Sequence, residues 1–536
     1  LDTFGHVAKN VFDQTTGDEQ KVFELPSMIT KMLENGWLGA KSGQGFFVKK
    51  GKEILELNPE TMEYEPVKKL KTPSLEMARQ QKGLAVKVKT LTYSKDRTGE
   101  LLWSILAPTL AYSAKLHGEI ADDIVAIDNA MKWGFGWEQG PFEIWDAIGV
   151  KDSVEKMKAE GLEIPAFAQN LLDQGFDSFY KEDNAETYFF NGQDYSAVPT
   201  NEKVINLKQF KKKHGVIKKN SGASLIDLGD GIALLEFHSQ SNAIGLDIIQ
   251  MINFAVDEVE KNFKGLVIGN QGKNFCVGAN LGMILMEAQD DNIFELDFVV
   301  RSFQNAMLKI KYSSKPVVAA PFGMTLGGGA EVCLPVAHIQ ASHETYMGLV
   351  EVGVGLIPGG GGNKELYMKH LKGLPNGVHI DYQYVANKVF ETIATAKVST
   401  SGEEARENNF LNFVDGISVN ADHLIYDAKQ AALSLYENNY KAPLREKVPV
   451  TGESGYATLL LGAEGMFLSG FISEHDLKIA KKLAYVIAGG KVPYGTLVDE
   501  QYLLDLEREA FLSLIAEPKS QARMQNMLVK GKPLRN

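Results

Sequence analysis

The sequence predicts a multidomain chain: an all-α repeat, then an α/β domain, then a helical C-terminal tail. Three observations carry this reading. Two segments before residue 200 repeat the same order of proline, glycine and aromatic positions. Between residues 222 and 425, short runs of Ile, Leu and Val end on glycine turns and alternate with amphipathic stretches. After residue 426, apolar residues recur at helical spacing.

The repeat comes first. Leu25-Pro26 precedes Met32-Leu33-Glu34-Asn35-Gly36-Trp37, and Ile164-Pro165 precedes Leu171-Leu172-Asp173-Gln174-Gly175-Phe176. Aromatic clusters follow, Phe46-Phe47 in one copy and Tyr188-Phe189-Phe190 in the other. Then come Glu65-Pro66-Val67 and Ala197-Val198-Pro199. The copies are assigned to residues 1–90 and 91–200. Copy two has a front half, with helices expected over Glu100–Leu116 and Ala121–Trp133 and Pro141 placed to start another. Leu1 aligns just after the equivalent point, so roughly the first half of copy one is expected upstream.

Residues 201–221 hold Lys211-Lys212-Lys213 and Lys218-Lys219 and read as a solvated linker, or as a site for a phosphate. In the α/β domain, residues 222–425, strands are expected at Ser224–Asp227, Gly231–Phe237, Gly265–Gly269 and Val317–Ala320. Ile248, Ile249, Ile252 and Val256 mark a helix over Asn242–Asn262. The tail, residues 426–536, is expected to be helical over Ala428–Glu437, Asp476–Val486 and Glu500–Ile515. Glu474-His475-Asp476 reads as a polar helix start, since adjacent positions make a poor metal ligand set.

Charge and composition narrow the function. The net charge of −12 argues against a nucleic-acid partner. No apolar run has the length of a membrane span. With only Cys276 and Cys333, a disulfide framework is excluded, and a reducing cytoplasm is the expected location. Both cysteines read as small buried hydrophobes.

The chemistry is expected in Lys315–Gly362. Glu331 and Glu351 lie there in segments otherwise poor in charge, and a carboxylate in apolar surroundings is costly unless paired, protonated or in use. Gly327, Gly328 and Gly329 stand where strand gives way to helix. Glycine admits a ligand close to the backbone, and the first amides of a helix lack partners. A second glycine turn, Asn270–Leu281, follows the strand at Leu266–Ile268. Two converging amides would make an oxyanion hole.

The FCVGANL turn, the LGGGAE turn and the EVGVGLIPGGGG segment, in that order, resemble the enoyl-CoA hydratase (crotonase) superfamily over about residues 222–425. GWLGAKSGQGFF (Gly36–Phe47) and GFGWEQGPFEIWD (Gly134–Asp146) resemble the C-terminal helical domains of 3-hydroxyacyl-CoA dehydrogenases. The tail resembles that of bacterial β-oxidation fusions with the dehydrogenase first and the hydratase last. The resemblance implies a spiral ββα fold for the α/β domain. It implies oxyanion amides at Val277 and Gly328, and catalytic carboxylates at Glu331 and Glu351. It also implies substrate contacts at Gly359, Ala279 and the Asn242-Ala243 segment. The expected substrate is a 2-trans-enoyl-CoA, hydrated to 3-hydroxyacyl-CoA. The implied partners are the acyl-CoA, a thiolase subunit and further copies of the chain. NAD is implied for a longer parent through an N-terminal domain; no cofactor and no metal are expected within this chain. No strand–GxGxxG–helix precedes residue 200, and Gly353-Val354-Gly355 lacks that context.

Five positions depart from the family pattern. Val277 replaces a common alanine, Leu349-Val350 a Gln-Pro pair, and Asn363 a usual threonine, while Pro335 falls in the expected helix after Gly329. Alternative readings are an enoyl-CoA isomerase or acyl-CoA thioester hydrolase on the same fold, or a non-catalytic acyl-CoA-binding scaffold.

Overall fold

The computed structural model describes residues 1–51, 53–68, 70–372 and 380–536. The chain divides into two units, residues 1–181 with 187–198, and residues 182–186 with 199–536.

In unit 1 the duplication extends to individual hydrogen bonds. Pro26 precedes the helix Ser27–Glu34, and Pro165 precedes the helix Ala166–Asp173. Both helices stop at a left-handed glycine, Gly36 (φ 68°) and Gly175 (φ 83°). Gly36 N–H donates to Leu33 O and Trp37 N–H to Met32 O; Gly175 N–H donates to Leu172 O and Phe176 N–H to Leu171 O. Met32 and Leu171, at equivalent places, are both fully buried.

The repeat is not all-α. Each copy continues into a three-stranded sheet, Phe47–Lys50, Glu53–Leu57 and Tyr64–Pro66 in one, and Tyr180–Asp183, Glu186–Phe190 and Tyr195–Ala197 in the other. Short apolar and aromatic runs there pair as strands, which the sequence reading used only as landmarks. The sheets also correct the alignment. Leu57 N–H donates to Phe46 O, and Phe190 N–H to Phe179 O, so Phe46 corresponds to Phe179 rather than to Tyr188–Phe190.

The boundary at residue 90 cuts a helix. Leu84–Thr92 packs against Pro141–Ile148, and Ser74 N–H donates to Asp96 Oδ2 at 3.2 Å. Residues from Pro73 onward therefore join the second copy, and both copies fall within one unit. Its buried acids are occupied as backbone acceptors. Asp128 takes the Phe142 and Glu143 amides, and Asp146 takes those of Phe179 and Tyr180.

Unit 2 is built on a seven-stranded sheet in the order Gly416–Ser418, His338–Ser342, Val317–Ala319, Gly265–Ile268, Ile232–Phe237, Ala223–Asp227, Lys218–Lys219. The first five are parallel; the last two add antiparallel. Val317–Ala319 and His338–Ser342 are each followed at once by a strand of a second sheet, Gly323–Leu326 and Thr345–Gly348. Cys276 extends this sheet by a bridge to Thr325. A strand in each sheet and then a helix or turn, repeated, is the spiral arrangement expected here.

Two further boundaries change. Residues 201–221 are mostly exposed, as expected of a solvated linker, but they are not without structure. Asn206 caps a helix Leu207–His214, Leu207 is buried, and its N–H donates to Gln271 Oε1. The apolar pair Leu207 and Phe210, at helical spacing inside the lysine run, was the overlooked signal. Nor is the tail separate. The cut at 425 falls inside the helix Leu424–Glu437, which packs on the parallel sheet. Leu503, Phe511 and Leu514 share one core with Ile268, Val317 and Leu349.

Candidate active site

Two glycine turns meet in unit 2. After the strand Gly323–Leu326, Gly327 takes φ 53°, ψ −123°, a conformation open essentially to glycine, and the helix Gly328–Cys333 begins. That helix ends before Pro335, so the proline breaks no interior bond, contrary to the expectation. Opposite, Gly278 takes φ 113°. A Cβ built on Gly278 would lie 3.3 Å from Leu326 O and 3.7 Å from Gly328 N, and one on Gly328 would lie 3.4 Å from Ala279 N. The two turns thus face each other with backbone against backbone. Among the described residues, neither the Val277 nor the Gly328 N–H has an acceptor.

The Asn242-Ala243 segment joins this cluster. Ile244 N–H donates to Gly278 O at 2.9 Å, and Asn280 N–H donates to Ile244 O at 2.9 Å. Ser241 and Asn242 are consecutive left-handed residues (φ 55° and 54°), and the buried Asn242 donates from Nδ2 to Asn274 O at 3.0 Å. Beside them opens a cavity of about 470 Å³ bounded by His238, Ser241, Asn242, Gln271, Lys273 and Asn274.

Glu331 follows one turn directly and is buried. Its Oε1 accepts from the Gly360 and Gly362 N–H groups, both at 2.8 Å. Gly359, the expected loop contact, is not the amide that reaches Glu331; its carbonyl is held by Gln304 Nε2 at 2.9 Å. Glu351 opens a short 3₁₀ turn, Glu351–Val354, with Oε1 against Gly327. Its Oε2 is buried and has no hydrogen-bond partner among the described residues.

The site contains a third carboxyl that sequence reasoning missed. Glu507, on the helix Glu500–Ile515, is fully buried. It accepts from Gly361 N–H at 2.5 Å, Asn363 N–H at 3.2 Å and Asn363 Nδ2 at 2.8 Å. The signal was an acid seven residues after Glu500 on the apolar face carrying Leu503, Leu504 and Phe511.

Burial sets the electrostatics. It pushes the Glu331 carboxyl up from its ordinary 4.5 to about 7, against the pull of its two amides. Burial first, then the charge of Glu331, raises Glu507 to about 8. Glu351 is raised well above its ordinary value by burial, then by Glu331, and further by Glu507. Three such groups titrate together. Near neutral pH the cluster therefore holds both protonated and ionised carboxyls, the pairing that acid–base chemistry needs. Cys276 and Cys333 are buried free thiols beside the turns. His475 bonds Ser520 and Asp476 pairs with Arg523, so that segment is a capped helix start. Among the described residues no cluster of His, Cys, Asp or Glu is placed to hold a metal ion, and no helix is long and apolar enough to cross a membrane.

Residues 231–378 match the enoyl-CoA hydratase/isomerase family model. Over all 536 residues the chain is 65% identical to a probable 3-hydroxyacyl-CoA dehydrogenase of Bacillus subtilis, covering 100% of this chain and 67% of that protein. This chain belongs to the 3-hydroxyacyl-CoA dehydrogenase family. A putative fatty acid oxidation complex trifunctional enzyme of Rickettsia felis is a more distant relative, 27% identical over 507 residues; the match covers 93% of this chain and 62% of that enzyme. The crystal structure of an enoyl-CoA hydratase from Bacillus halodurans overlaps 57% of this chain and 99% of its own, with 16% identity and a TM-score of 0.39. Within the family, then, this chain carries a crotonase-like α/β fold, and the glycine turns and both sequence-predicted glutamates lie inside its matched span.

Proposed function

We propose that unit 2 hydrates a 2-trans-enoyl-CoA to the 3-hydroxyacyl-CoA, as one step of fatty-acid β-oxidation. The observation that carries this is the pair of unoccupied amides, Val277 and Gly328, on turns adjoining two buried carboxyls of raised proton affinity. The amides would grip the thioester oxygen, and one such donor is typically worth about 3 kcal/mol in the transition state. Water adds across the double bond. One carboxylate takes a proton as the oxygen bonds to the β-carbon, and the carboxylic acid partner delivers a proton to the α-carbon. The unpaired Glu351 Oε2 is an acceptor available to that water. The cavity at Ser241, Asn242 and Lys273 adjoins the oxyanion turns through Ile244 and suits the nucleotide end of CoA. The names of the relatives support the same pathway.

The dehydrogenase step is a different matter. The pairs Phe47–Lys50 with Glu53–Leu57, Glu53–Leu57 with Tyr64–Pro66, and Glu186–Phe190 with Tyr195–Ala197 are antiparallel. Unit 1 so described lacks the parallel strand–glycine–helix crevice that holds a dinucleotide. The described strands of unit 1 do not fit NAD, and the chain spans 67% of its Bacillus subtilis relative, so the dehydrogenase activity stays a proposal.

Product analysis tests the reading. Incubated with crotonyl-CoA, the chain should form 3-hydroxybutyryl-CoA. Double-bond migration in a 3-enoyl-CoA without hydration would favour an isomerase, free CoA release a hydrolase, and binding without turnover a scaffold.

A further inference from the structure

Four successive N–H groups at the end of the glycine loop alternate between two carboxyls. Gly360 and Gly362 donate to Glu331; Gly361 and Asn363 donate to Glu507. Gly362 and Asn363 open the helix Gly362–Lys372, so both acids sit where a helix leaves its amides unpaired. The Asn363 side chain adds a third donor to Glu507 and also bonds Pro358 O at 3.0 Å, tying the front of the loop to its back. Taking the hydratase reading as its basis, we infer that Glu507 is a positioning residue of the active site: it latches the glycine loop from the side opposite Glu331 and shares protons with the Glu331–Glu351 pair.

Several contacts fix Glu507 in place. Two turns earlier on its helix, buried Glu500 bonds Lys311 at 2.9 Å and Lys364 at 2.6 Å, and both lysines also bond Glu365. Between the acids, Gln304 Nε2 donates to Leu504 O and Gly359 O, joining this helix to the loop a second time. The tail helix is therefore registered against the loop by side chains on both sides of Glu507. A simple apolar cap over the site would need only Leu503, Leu504 and Phe511.

The charged groups around it define the expected titration. Glu331 and Glu351 face Glu507 from the glycine turn and the 3₁₀ turn, and Lys364 acts on it from the helix Gly362–Lys372. Lys311 is engaged by Glu365 and Glu500, and Arg508 by Asp297 and Asp505. On the other packed helices, Lys478 pairs with Glu517 and Arg523 with Asp476. Ionised Glu507 therefore acts mainly on the glutamate pair, holding its second proton to higher pH. That proton is the one the acid partner delivers. Removing the charge should let it leave at lower pH.

Two measurements on the full chain test this. In Glu507→Gln, kcat for crotonyl-CoA should fall by about 10- to 100-fold with little change in KM, the effect of a shifted loop. The alkaline limb of its pH profile should move to lower pH by about one unit, as expected when one member of a coupled set is lost. The second measurement needs no substrate. In protein carrying ¹³C-carboxyl glutamate, the Glu351 resonance, assigned from Glu351→Gln, should titrate at lower pH in Glu507→Gln than in the wild type. Glu507→Ala, which removes the latch altogether, should lower the unfolding midpoint further. If the Glu351 resonance titrates unchanged, Glu507 shares no protons with the pair and the inference falls, whatever the turnover. If the wild type fails to hydrate crotonyl-CoA while the Glu351 resonance shifts as expected, the proton-sharing set stands and the hydratase reading falls.

Discussion

At the residue scale, Glu351 Oε2 is a buried carboxyl oxygen with no hydrogen-bond partner among the described residues; such an atom costs stability and marks a candidate functional group. Glu331 differs, because two amides hold it and yet burial keeps its folded value near 7. The sign follows from linkage. The folded state binds this proton more tightly than the unfolded chain, so the stabilisation is whole below 4.5 and is lost as pH rises through about 7. Unfolding midpoints measured across that window should fall with rising pH, and Glu331→Gln should flatten the fall. Gly328→Pro should abolish turnover, since it deletes one oxyanion donor and disturbs the turn; full activity with an intact fold would mean that the oxyanion hole lies elsewhere. Glu331, Glu351 and the two turns were legible in the sequence because glycine runs and isolated acids are local signals. Glu507 was not, because its partners lie on the loop 144 to 146 residues away.

At the scale of elements, the glycine run after Pro358 is a packed loop rather than a flexible one. A Cβ on Gly360 would lie 2.2 Å from the Phe303 ring and 3.0 Å from Glu331 Oε2, whereas one on Gly353 would meet nothing within 4 Å. Gly360→Ala should therefore lower stability by about 1–3 kcal/mol, the usual cost of overpacking, and reduce activity with it. Gly353→Ala should leave thermal unfolding and turnover close to wild type. Thermal melts of the two variants side by side check both. The helices and strands that the sequence predicts in unit 2 follow its periodicity closely, Glu500–Ile515 to the residue. The helix Gly452–Leu468 does not, because glycines and apolar residues surround it on all sides and blur its face. The sheets of unit 1 escaped notice because strands of three to five residues carry too little alternation to stand out.

For the whole molecule, boundaries drawn at residues 90 and 425 both fell inside helices, because composition changes along the chain before packing does. The tail shares its core with the α/β domain and supplies a buried acid to the site, so activity should require it. Unit 1 repeats a helix and a sheet, and its described strand pairs offer no dinucleotide crevice. With 3-hydroxybutyryl-CoA and NAD, the 536-residue chain should form no NADH in a spectrophotometric assay; clear turnover would place a nucleotide site within these residues. The most direct test of the account is hydration of crotonyl-CoA by the wild type, Glu331→Gln and Glu351→Gln, with CoA-thioester binding measured in parallel. The account predicts turnover in the wild type, a loss of about 10²-fold or more in each variant, and little change in binding. Near-normal hydration in either variant would contradict it.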